Sequence, residues 1–341
     1  MTEHEVAPAA RSAGGPFFDD LHVGDVADGA PALTLTNGHA ALHQAILGDR
    51  LRIALDGTLS RRVLGAAAAV AHPGLICDVA IGQSTLLTQR VIANLFYRGL
   101  VLRRAPVIGD TLRTTTEVVA LRQNRPREGR PATGLAVLRI RTTDQEDRRV
   151  LDFWRCAMLP LRDPAGVTGH DDELDAIPAE LDAAALQQAI ADWDLEAFAQ
   201  AVPGEHAGDV VEGMRWAVEG GDVVSAAPEL ARLSLNIATA HHDATGPSDR
   251  RLVYGGHTIG LAASHLTRAL PNLVTIVAWH GCDHLGPVFE GDTLFTEVEL
   301  ERVEPLPGGG ALLHLRCHVC ALRGGERADV LDWRPVGVMA P

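Results

Sequence analysis

The segment APVIGDTL occupies residues 105–112, and the chain repeats it as GPVFEGDTL at residues 286–294. The two prolines, Pro106 and Pro287, are 181 positions apart. Such an interval is far longer than a solenoid repeat, which spans roughly 20–50 residues. The chain of 341 residues is therefore predicted to contain two copies of one domain-sized unit, packed against each other.

Two further pairs of segments support a duplication. VLDFW at residues 150–154 returns as VLDW at residues 330–333, an offset of 180 positions. Asn-Leu at residues 94–95 returns at residues 272–273, an offset of 178 positions. Because the three pairs follow the same order at nearly the same offset, we interpret them as remnants of one ancestral repeat.

The composition excludes several classes of protein. A formal net charge of −14 disfavours binding to nucleic acid or to anionic membranes, and no apolar run is long enough for a membrane span. Hydrophobic residues make up 46% of the chain, enough for a core in each unit. Five cysteines, an odd number in a long chain, indicate a reducing compartment. The predicted location is the cytoplasm.

The chain divides into four predicted segments. Residues 1–16 lack the apolar core of a signal peptide and are predicted to form a disordered tail. The first unit is predicted over residues 17–161. Residues 162–190 are rich in Pro, Gly and acidic side chains before becoming rich in Ala, which indicates a linker that runs into a helix. The second unit is predicted over residues 191–341.

Each unit has a helix-compatible first part and a strand-rich second part. Residues 75–87 and 257–270 each follow a glycine and are apolar almost continuously at helical spacing, as expected of a buried helix. The pattern predicts an α+β fold in which an antiparallel sheet wraps a long helix. The predicted strands include residues 135–141, 150–158, 312–322 and 330–339.

The sequence FFDDLHVGD at residues 17–25, the repeated Pro-Val…Gly-Asp-Thr-Leu segment and the His/Gly segment before each predicted helix resemble the MaoC-like dehydratases, or hydratase 2. The duplicated form is most similar to the mesaconyl-CoA hydratase (methylmalyl-CoA dehydratase) branch. The resemblance covers residues 17–160 and 192–338 and implies a double hotdog fold with its two sheets joined across a pseudo-twofold axis. It also implies coenzyme A thioesters as ligands, with no metal and no other cofactor.

The catalytic segment of that family, roughly Gly-Asp-x-Asn-Pro-Leu-His, is divided between the two units. It holds a water molecule between an aspartate and a histidine five positions apart. In the first unit Asp49 matches the aspartate, but Ala54 stands at the histidine position. In the second unit His241 matches the histidine, but Asn236 stands at the aspartate position. Neither unit carries the complete pair.

Hydration of an enoyl thioester needs a base for water, an acid for Cα and donors for the enolate oxygen. His241 is the predicted acid and base, because imidazole titrates near neutral pH. Asn236 is predicted to position the water, which an amide can bind but not deprotonate. Asp243 is predicted to orient an imidazole or to replace the missing aspartate. The alternatives are a polar turn at residues 241–243 and a helix cap at Asn236.

Gly256 is predicted to hold the thioester oxyanion, because a helix N-terminus offers unpaired N–H groups and the family uses a backbone N–H from this region. Gly74 is the same feature in the first unit. The alternative is that each glycine only permits close packing. With Asp49, Gly74 marks a second or vestigial site, to which we add His39 and His43, one helical turn apart. No further metal ligands accompany the two histidines, so we favour a surface or interface pair.

Several other polar groups have two interpretations. The arginines at residues 122–130 belong either to a solvated hairpin loop or to a site for the phosphates of coenzyme A. Cys317 and Cys320 are predicted to be structural, because positions i and i+3 of a strand lie on opposite faces. Three more histidines are predicted to contact the substrate: His242, His257 and His284.

The sequence thus predicts a carbon–oxygen lyase, an enoyl-CoA hydratase or 3-hydroxyacyl-CoA dehydratase. The branch resemblance favours a short, branched or dicarboxylic acyl group, and a dicarboxylate would require an arginine that the sequence does not identify. The alternatives are a hotdog thioesterase, since one fold hosts several chemistries, and a non-catalytic acyl-CoA-binding protein. The predicted assembly is a homo-oligomer.

Overall fold

Each half of the chain contributes four long antiparallel strands and one long buried helix. The first half contains β1 (Val26–Ala27), β2 (Leu33–Thr34), α1 (Asn37–Leu47), α2 (Arg52–Leu55), α3 (Gly57–Leu64), α4 (Pro73–Gln83), β3 (Ala93–Leu102), β4 (Thr111–Gln123), β5 (Thr133–Thr143) and β6 (Arg149–Pro160). The connection contains α5 (Ala183–Ala189) and α6 (Leu195–Ala201). The second half contains β7 (Arg215–Ala217), β8 (Asp222–Val223), α7 (Ala227–Leu233), α8 (Gly255–Ala269), β9 (Leu273–His284), β10 (Thr293–Pro305), β11 (Ala311–Arg323) and β12 (Glu326–Met339). The structure, a computed structural model, describes residues 13–178, 180–245 and 250–341.

The strands form one continuous sheet in the order β1-β4-β5-β6-β3-β9-β12-β11-β10-β7, with β2 and β8 paired to β4 and β10. The two halves meet at the antiparallel pair β3 and β9, where Tyr97 lies opposite Cys282 and Leu100 opposite Trp279. A twofold rotation exchanges these two pairs, so the halves are related by a pseudo-twofold axis through the sheet. The predicted α+β double hotdog is confirmed.

The two central helices are the ones predicted from continuous apolar sequence. In α4 every residue from Leu75 to Gln83 is buried, and in α8 every residue from Gly256 to Thr267 is buried. A helix that is apolar on all sides must be covered on all sides, and here the sheet and the opposite helix supply the cover. The predicted helix over residues 75–87 ends as a 3-10 turn at Ser84–Leu87.

The repeated Gly-Asp-Thr-Leu segment forms the same turn in each half, just before β4 and β10. Asp110 and Asp292 each accept, through Oδ2, a hydrogen bond of 2.9 Å from the backbone N–H three residues earlier. Gly109 and Gly291 precede them with φ of 111° and 88°, values that other residues rarely adopt. The repeated sequence persists because the turn requires these residue types.

One of the three sequence matches is not a structural match. Tyr97 of β3 pairs with Arg155 of β6 in the way that Trp279 of β9 pairs with Pro335 of β12, which sets the offset of β3 and β9 at 182 positions. Asn94 therefore corresponds to Ile276, and its predicted equivalence with Asn272 is wrong. Asn272 lies before β9, where its side chain donates to two carbonyl groups of the segment after α6.

The connection between the halves folds onto the sheet. After α5, Ile190 and Phe198 pack with Leu51 and Ile53 of the first half in one hydrophobic cluster. Of the predicted tail, residues 1–12 lie outside the described residues, while Gly15 donates its N–H to Gln89 Oε1 at 2.6 Å. The domain boundaries of the sequence analysis stay predictions. Among the described residues, no helix combines the length and apolarity needed to cross a membrane.

Candidate active site

A cavity of about 290 Å³ lies between the two halves of the chain. The first half contributes the end of α4, the start of β3 and a residue of β6. The second half contributes the segment after α7, the N-terminus of α8 and the segment after β9. Its polar lining consists of Thr85, Asn94, Tyr97, Arg155, Asn236, His241, Tyr254, Thr258 and His284.

The segment after α7 crosses onto the helix of the other half. Gly82 of α4 makes this possible, because a Cβ atom there would lie 1.8 Å from the carbonyl oxygen of Ser234. The N–H of Ile237 then donates to Thr85 Oγ1 at 3.0 Å. The residues that the family resemblance marks as catalytic are thus held by backbone contacts with the first half.

His241 lines the cavity as a neutral imidazole with a defined tautomer. Its Nδ1 lies 2.9 Å from the carbonyl oxygen of Leu252, which can only accept, so Nδ1 carries the proton. The ring packs 5.6 Å from that of Tyr254, centroid to centroid. Burial lowers the pKa of His241 to about 4, so Nε2 has a free lone pair at neutral pH.

Asn236 is buried and forms the turn that leads to His241. Its Oδ1 accepts from the N–H of Ala238 at 2.9 Å, and its backbone carbonyl accepts from His242 Nε2 at 2.6 Å. The amide Nδ2 has no partner among the described residues and is the part of the side chain left for a ligand. His242 does not line the cavity, contrary to its predicted role, and instead supports this turn.

Asp243 does not approach His241. Its Oδ1 accepts from the N–H and the hydroxyl of Thr245, at 2.8 and 2.7 Å, and its side chain is exposed. These hydrogen bonds lower the pKa of Asp243, which is therefore a stable anion at the surface. The predicted roles in orienting an imidazole or replacing the aspartate do not fit this position, whereas the alternative of a polar turn does.

The N-terminus of α8 reaches the cavity through Gly255. A Cβ atom at Gly255 would lie 2.6 Å from the ring of His284, which also lines the cavity. Gly256 faces inward instead, where a Cβ atom would lie 2.1 Å from an oxygen of Asp78. The helix end is where it was predicted, but the glycine in the cavity wall is Gly255 and not Gly256.

The two remaining predicted histidines differ in position. His284 lies against Tyr97, with ring centroids 5.9 Å apart, and burial lowers its pKa to about 4. His257 lies inside α8, outside the cavity wall, and neither of its ring nitrogens has a partner among the described residues. Burial lowers its pKa to about 4 as well. His284 is therefore placed to contact a ligand, and His257 is not.

The first half repeats the geometry of the catalytic segment. Asp49 Oδ1 accepts from the N–H of Leu51 at 2.7 Å, as Asn236 accepts from Ala238, and each follows a residue with positive φ, Gly48 at 68° and Leu235 at 62°. The sequence alignment of Asp49 with Asn236 therefore matches the backbone. In this alignment Ala54, in α2, stands at the position that His241 has in the second half.

The space corresponding to the cavity is filled in the first half. Only about 20 Å³ remains there, bordered by Ile76 and Leu102 where the open cavity has Thr258 and His284. Ile190 and Trp193 of the connection between the halves occupy the rest. Ile76, Leu102 and this plug leave no room for a substrate at the first-half position.

The polar residues of the first half form a closed internal cluster. Asp49 Oδ1 lies 3.1 Å from His72 Nε2, and His43 Nε2 lies 3.3 Å from Asp78 Oδ2. His43 is 1% exposed, so its prediction as a surface or interface residue is wrong. The other residues predicted here serve local structure: the N–H of Gly74 donates to His72 Nδ1 at 3.0 Å, and the ring of His39 lies 2.7 Å from Thr36 Oγ1 at the start of α1.

Two other motifs lie away from the cavity. The loop between β4 and β5 carries exposed arginines at residues 125–130 and matches the predicted solvated hairpin. Cys317 is buried, and Cys320 is half-buried with Asp329 opposite it on β12. Within the described chain, His318, Cys320 and Asp329 are the one group whose ligand atoms, all within 4.8 Å of one another, are arranged as a metal could require.

Sequence reasoning missed Tyr254, Thr85 and Arg155. Tyr254 stands directly before the Gly-Gly pair of α8, and Arg155 directly follows the repeated VLDFW segment. Neither position has a spacing rule that marks it. The difference between Arg155 and its structural counterpart Pro335 was readable as a break in the repeat.

No protein-family model matches the chain. The chain is 31% identical to a mesaconyl-CoA hydratase of Cereibacter sphaeroides over 328 residues, which cover 93% of this chain and 92% of the relative. It is 29% identical to a β-methylmalyl-CoA dehydratase of Chloroflexus aurantiacus over 331 residues, 92% of this chain and 90% of the relative.

Two solved structures are similar over almost the whole chain. A conserved hypothetical protein of Mycobacterium tuberculosis with a double hotdog fold superposes with a TM-score of 0.89 and 51% identity, covering 96% of this chain and 99% of that one. A MaoC domain protein dehydratase of Chloroflexus aurantiacus superposes with a TM-score of 0.85 and 26% identity, covering 97% and 99%. Fold and cavity define a double hotdog protein with an open polar cavity between its two halves. The chain belongs to the MaoC-like dehydratase family, in its duplicated form.

Proposed function

We propose that this protein is an acyl-CoA hydratase or dehydratase, which adds water to, or removes it from, the α,β bond of a short acyl thioester. The observation that carries the proposal is His241, a neutral imidazole in the wall of a small cavity with Nδ1 bonded to Leu252 and Nε2 free. Relatives named as a hydratase and a dehydratase match the chain over more than nine-tenths of its length.

In the hydration direction, Nε2 of His241 accepts a proton from a water molecule while the water oxygen bonds to Cβ. The same imidazole then returns the proton to Cα, so that one group serves both steps of a syn addition. Nδ2 of Asn236 donates to the water oxygen. The N–H of Gly255, at the positive end of α8, donates to the thioester oxygen as it becomes an enolate.

Each chain is proposed to hold one such site. The cavity of about 290 Å³ is small beside most ligand sites and suits a short acyl group, with the bulk of coenzyme A remaining outside. The corresponding space in the first half is plugged by the connection between the halves. A cytoplasmic location and a homo-oligomeric assembly remain predictions from the sequence.

Product analysis tests the proposal. The purified protein is incubated with crotonyl-CoA and with mesaconyl-CoA, while the absorbance of the enoyl thioester and the release of free thiol are followed together. We expect loss of enoyl absorbance without thiol release. Thiol release would indicate a thioesterase, and the absence of both signals over a panel of acyl-CoA thioesters would indicate a non-catalytic binding protein.

A further inference from the structure

Arg155 is a buried cation in the wall of the cavity. It lies on β6 and is 3% exposed, and its Nη2 donates to Thr88 Oγ1 and, at 3.4 Å, to the carbonyl of Ser84. Its Nε has no hydrogen-bond partner among the described residues. The side chain is thus held by neutral oxygens while part of its donor capacity is unused.

No negative charge in the described protein balances Arg155. Among the described residues no carboxylate forms an ion pair with the guanidinium, and those that line the cavity include no aspartate or glutamate. The two lining histidines are neutral at pH 7, because burial lowers their pKa to about 4. Burial also lowers the pKa of Arg155, but a guanidinium remains protonated in proteins. An unpaired buried charge is costly, so an anion from outside would be strongly favoured.

The anion must belong to the acyl end of the substrate. A cavity of about 290 Å³ cannot contain coenzyme A, whose phosphates therefore stay outside. The thioester oxygen is already assigned to the N-terminus of α8. What remains for Arg155 is a group on the acyl chain beyond the reacting carbons, and a carboxylate matches a guanidinium in charge and in fork geometry.

The duplication supplies an internal comparison. The structural counterpart of Arg155 on β12 is Pro335, which pairs with Trp279 as Arg155 pairs with Tyr97. Arg155 lines the open cavity, whereas Pro335 is not part of the wall of the filled space.

We propose that Arg155 is the specificity-determining residue of the site and binds a second carboxylate carried by the acyl group of the substrate. This inference rests on the proposed function, whose site it deepens. The ion pair would hold the acyl chain at its far end and so position the α,β bond beside His241. Thioesters of monocarboxylic acids would leave the guanidinium unpaired and bind more weakly.

The experiment uses saturated thioesters, which cannot be hydrated, so binding is measured independently of catalysis. Isothermal titration compares succinyl-CoA with butyryl-CoA, which has the same acyl length but no second carboxylate. We expect the wild-type protein to bind succinyl-CoA roughly tenfold to a hundredfold more tightly. Arg155→Gln should remove the preference, and Arg155→Lys should keep part of it. Arg139→Gln is the matched control, since Arg139 pairs with Asp152 outside the cavity and should leave the preference intact.

Two outcomes would overturn the inference. The first is that the wild-type protein shows no preference for succinyl-CoA over butyryl-CoA. This measurement does not depend on whether any variant folds. The second is a preference that survives in Arg155→Gln. Failure of the proposed function is a separate result: the wild-type protein would then bind succinyl-CoA preferentially but would not hydrate mesaconyl-CoA or crotonyl-CoA.

Discussion

The open cavity and its filled counterpart are built on the same backbone but differ in volume and in the residues that line them. Both catalytic segments begin with a residue of positive φ and an Asx-type turn, at Asp49 and at Asn236. One cavity has about 290 Å³ of space and the other about 20 Å³. The two halves therefore share a scaffold, and only the second-half position keeps space for a ligand.

The filled site contributes to stability instead. The connection that follows the first half folds back, and its apolar side chains, among them Ile190 and Phe198, pack in a cluster with Leu51 and Val63. Polar residues there would be buried without partners, which is unfavourable. The replacement of Thr258 and His284 by Ile76 and Leu102 at the corresponding positions follows from this packing.

The largest expected effect comes from removing the histidine that only the open site possesses. His241→Ala should lower the rate of hydration by a factor of roughly 100 to 10,000, because the group that serves as both acid and base is lost. The rate is measured by enoyl absorbance. His318→Ala, on the outer face of β11, is the control and should keep full activity. Near-normal activity of His241→Ala would show that another group carries the proton.

A smaller loss is expected when the catalytic segment is pushed away from the first half. In Gly82→Ala the new methyl group would overlap the carbonyl of Ser234, so the segment to His241 must shift. A displacement of about 1 Å can cost on the order of a hundredfold in rate. Steady-state kinetics and thermal melting should both report the change. Gly208→Ala, where the added Cβ meets nothing within 4 Å, should be neutral, and equal behaviour of the two variants would contradict the docking.

Opening the filled site should affect stability and not activity. Ile190→Ala removes a buried side chain, 5% exposed, from the plug and should cost about 2–5 kcal/mol in the free energy of unfolding. The measurement is denaturant unfolding, with turnover of mesaconyl-CoA as the second readout. Unchanged stability would mean that the plug does not pack as described. A second succinyl-CoA bound per chain would mean that the filled site is still usable.

A further effect, on stability and not on the catalytic comparison itself, is a dependence of the free energy of unfolding on pH. Burial lowers the pKa of His241, His257 and His284 to about 4, from an ordinary value of 6.5. Below pH 6.5 these histidines bind protons in the unfolded chain but stay neutral in the folded chain. The free energy of unfolding should therefore fall as the pH drops from 6.5 towards 4.

Urea titrations at several pH values measure that slope. His257→Leu should reduce the slope, because it removes one of the three groups that bind protons mainly in the unfolded chain. The substitution should break no hydrogen bond, since the imidazole nitrogens of His257 have no partners among the described residues. Above pH 6.5 stability should not depend on these groups. An increase in the free energy of unfolding as the pH is lowered from 6.5 to 5 would contradict the assignment of neutral buried histidines.

Much of the fold was predictable because it depends on local rules. The turn at Gly109 and Asp110 and its copy at Gly291 and Asp292 need particular residue types, so the repeat survives in the sequence. The central helices were visible as continuous apolar runs. The match of Asn94 with Asn272 failed because a two-residue identity carries no structural requirement.

The candidate site was predictable only where a residue stands in a motif. His241 and Asn236 were found from the family segment, and both line the cavity. His43 was misplaced at the surface because helical spacing reveals a shared face but not what covers that face. Gly256 was chosen over Gly255 because a sequence cannot show which first-turn group of a helix faces the cavity.

The sequence by itself determined the duplication and the α+β pattern, because turns and buried helices depend on neighbours along the chain. The resemblance of its motifs to a known family added the double hotdog and the predicted division of the catalytic segment between Asp49 and His241. Only the tertiary structure decided that the first site is filled and that the second is completed by the opposite half. It also brought Arg155 to His241, since that proximity comes from strand pairing across the sheet and from packing, which residues distant in sequence produce together.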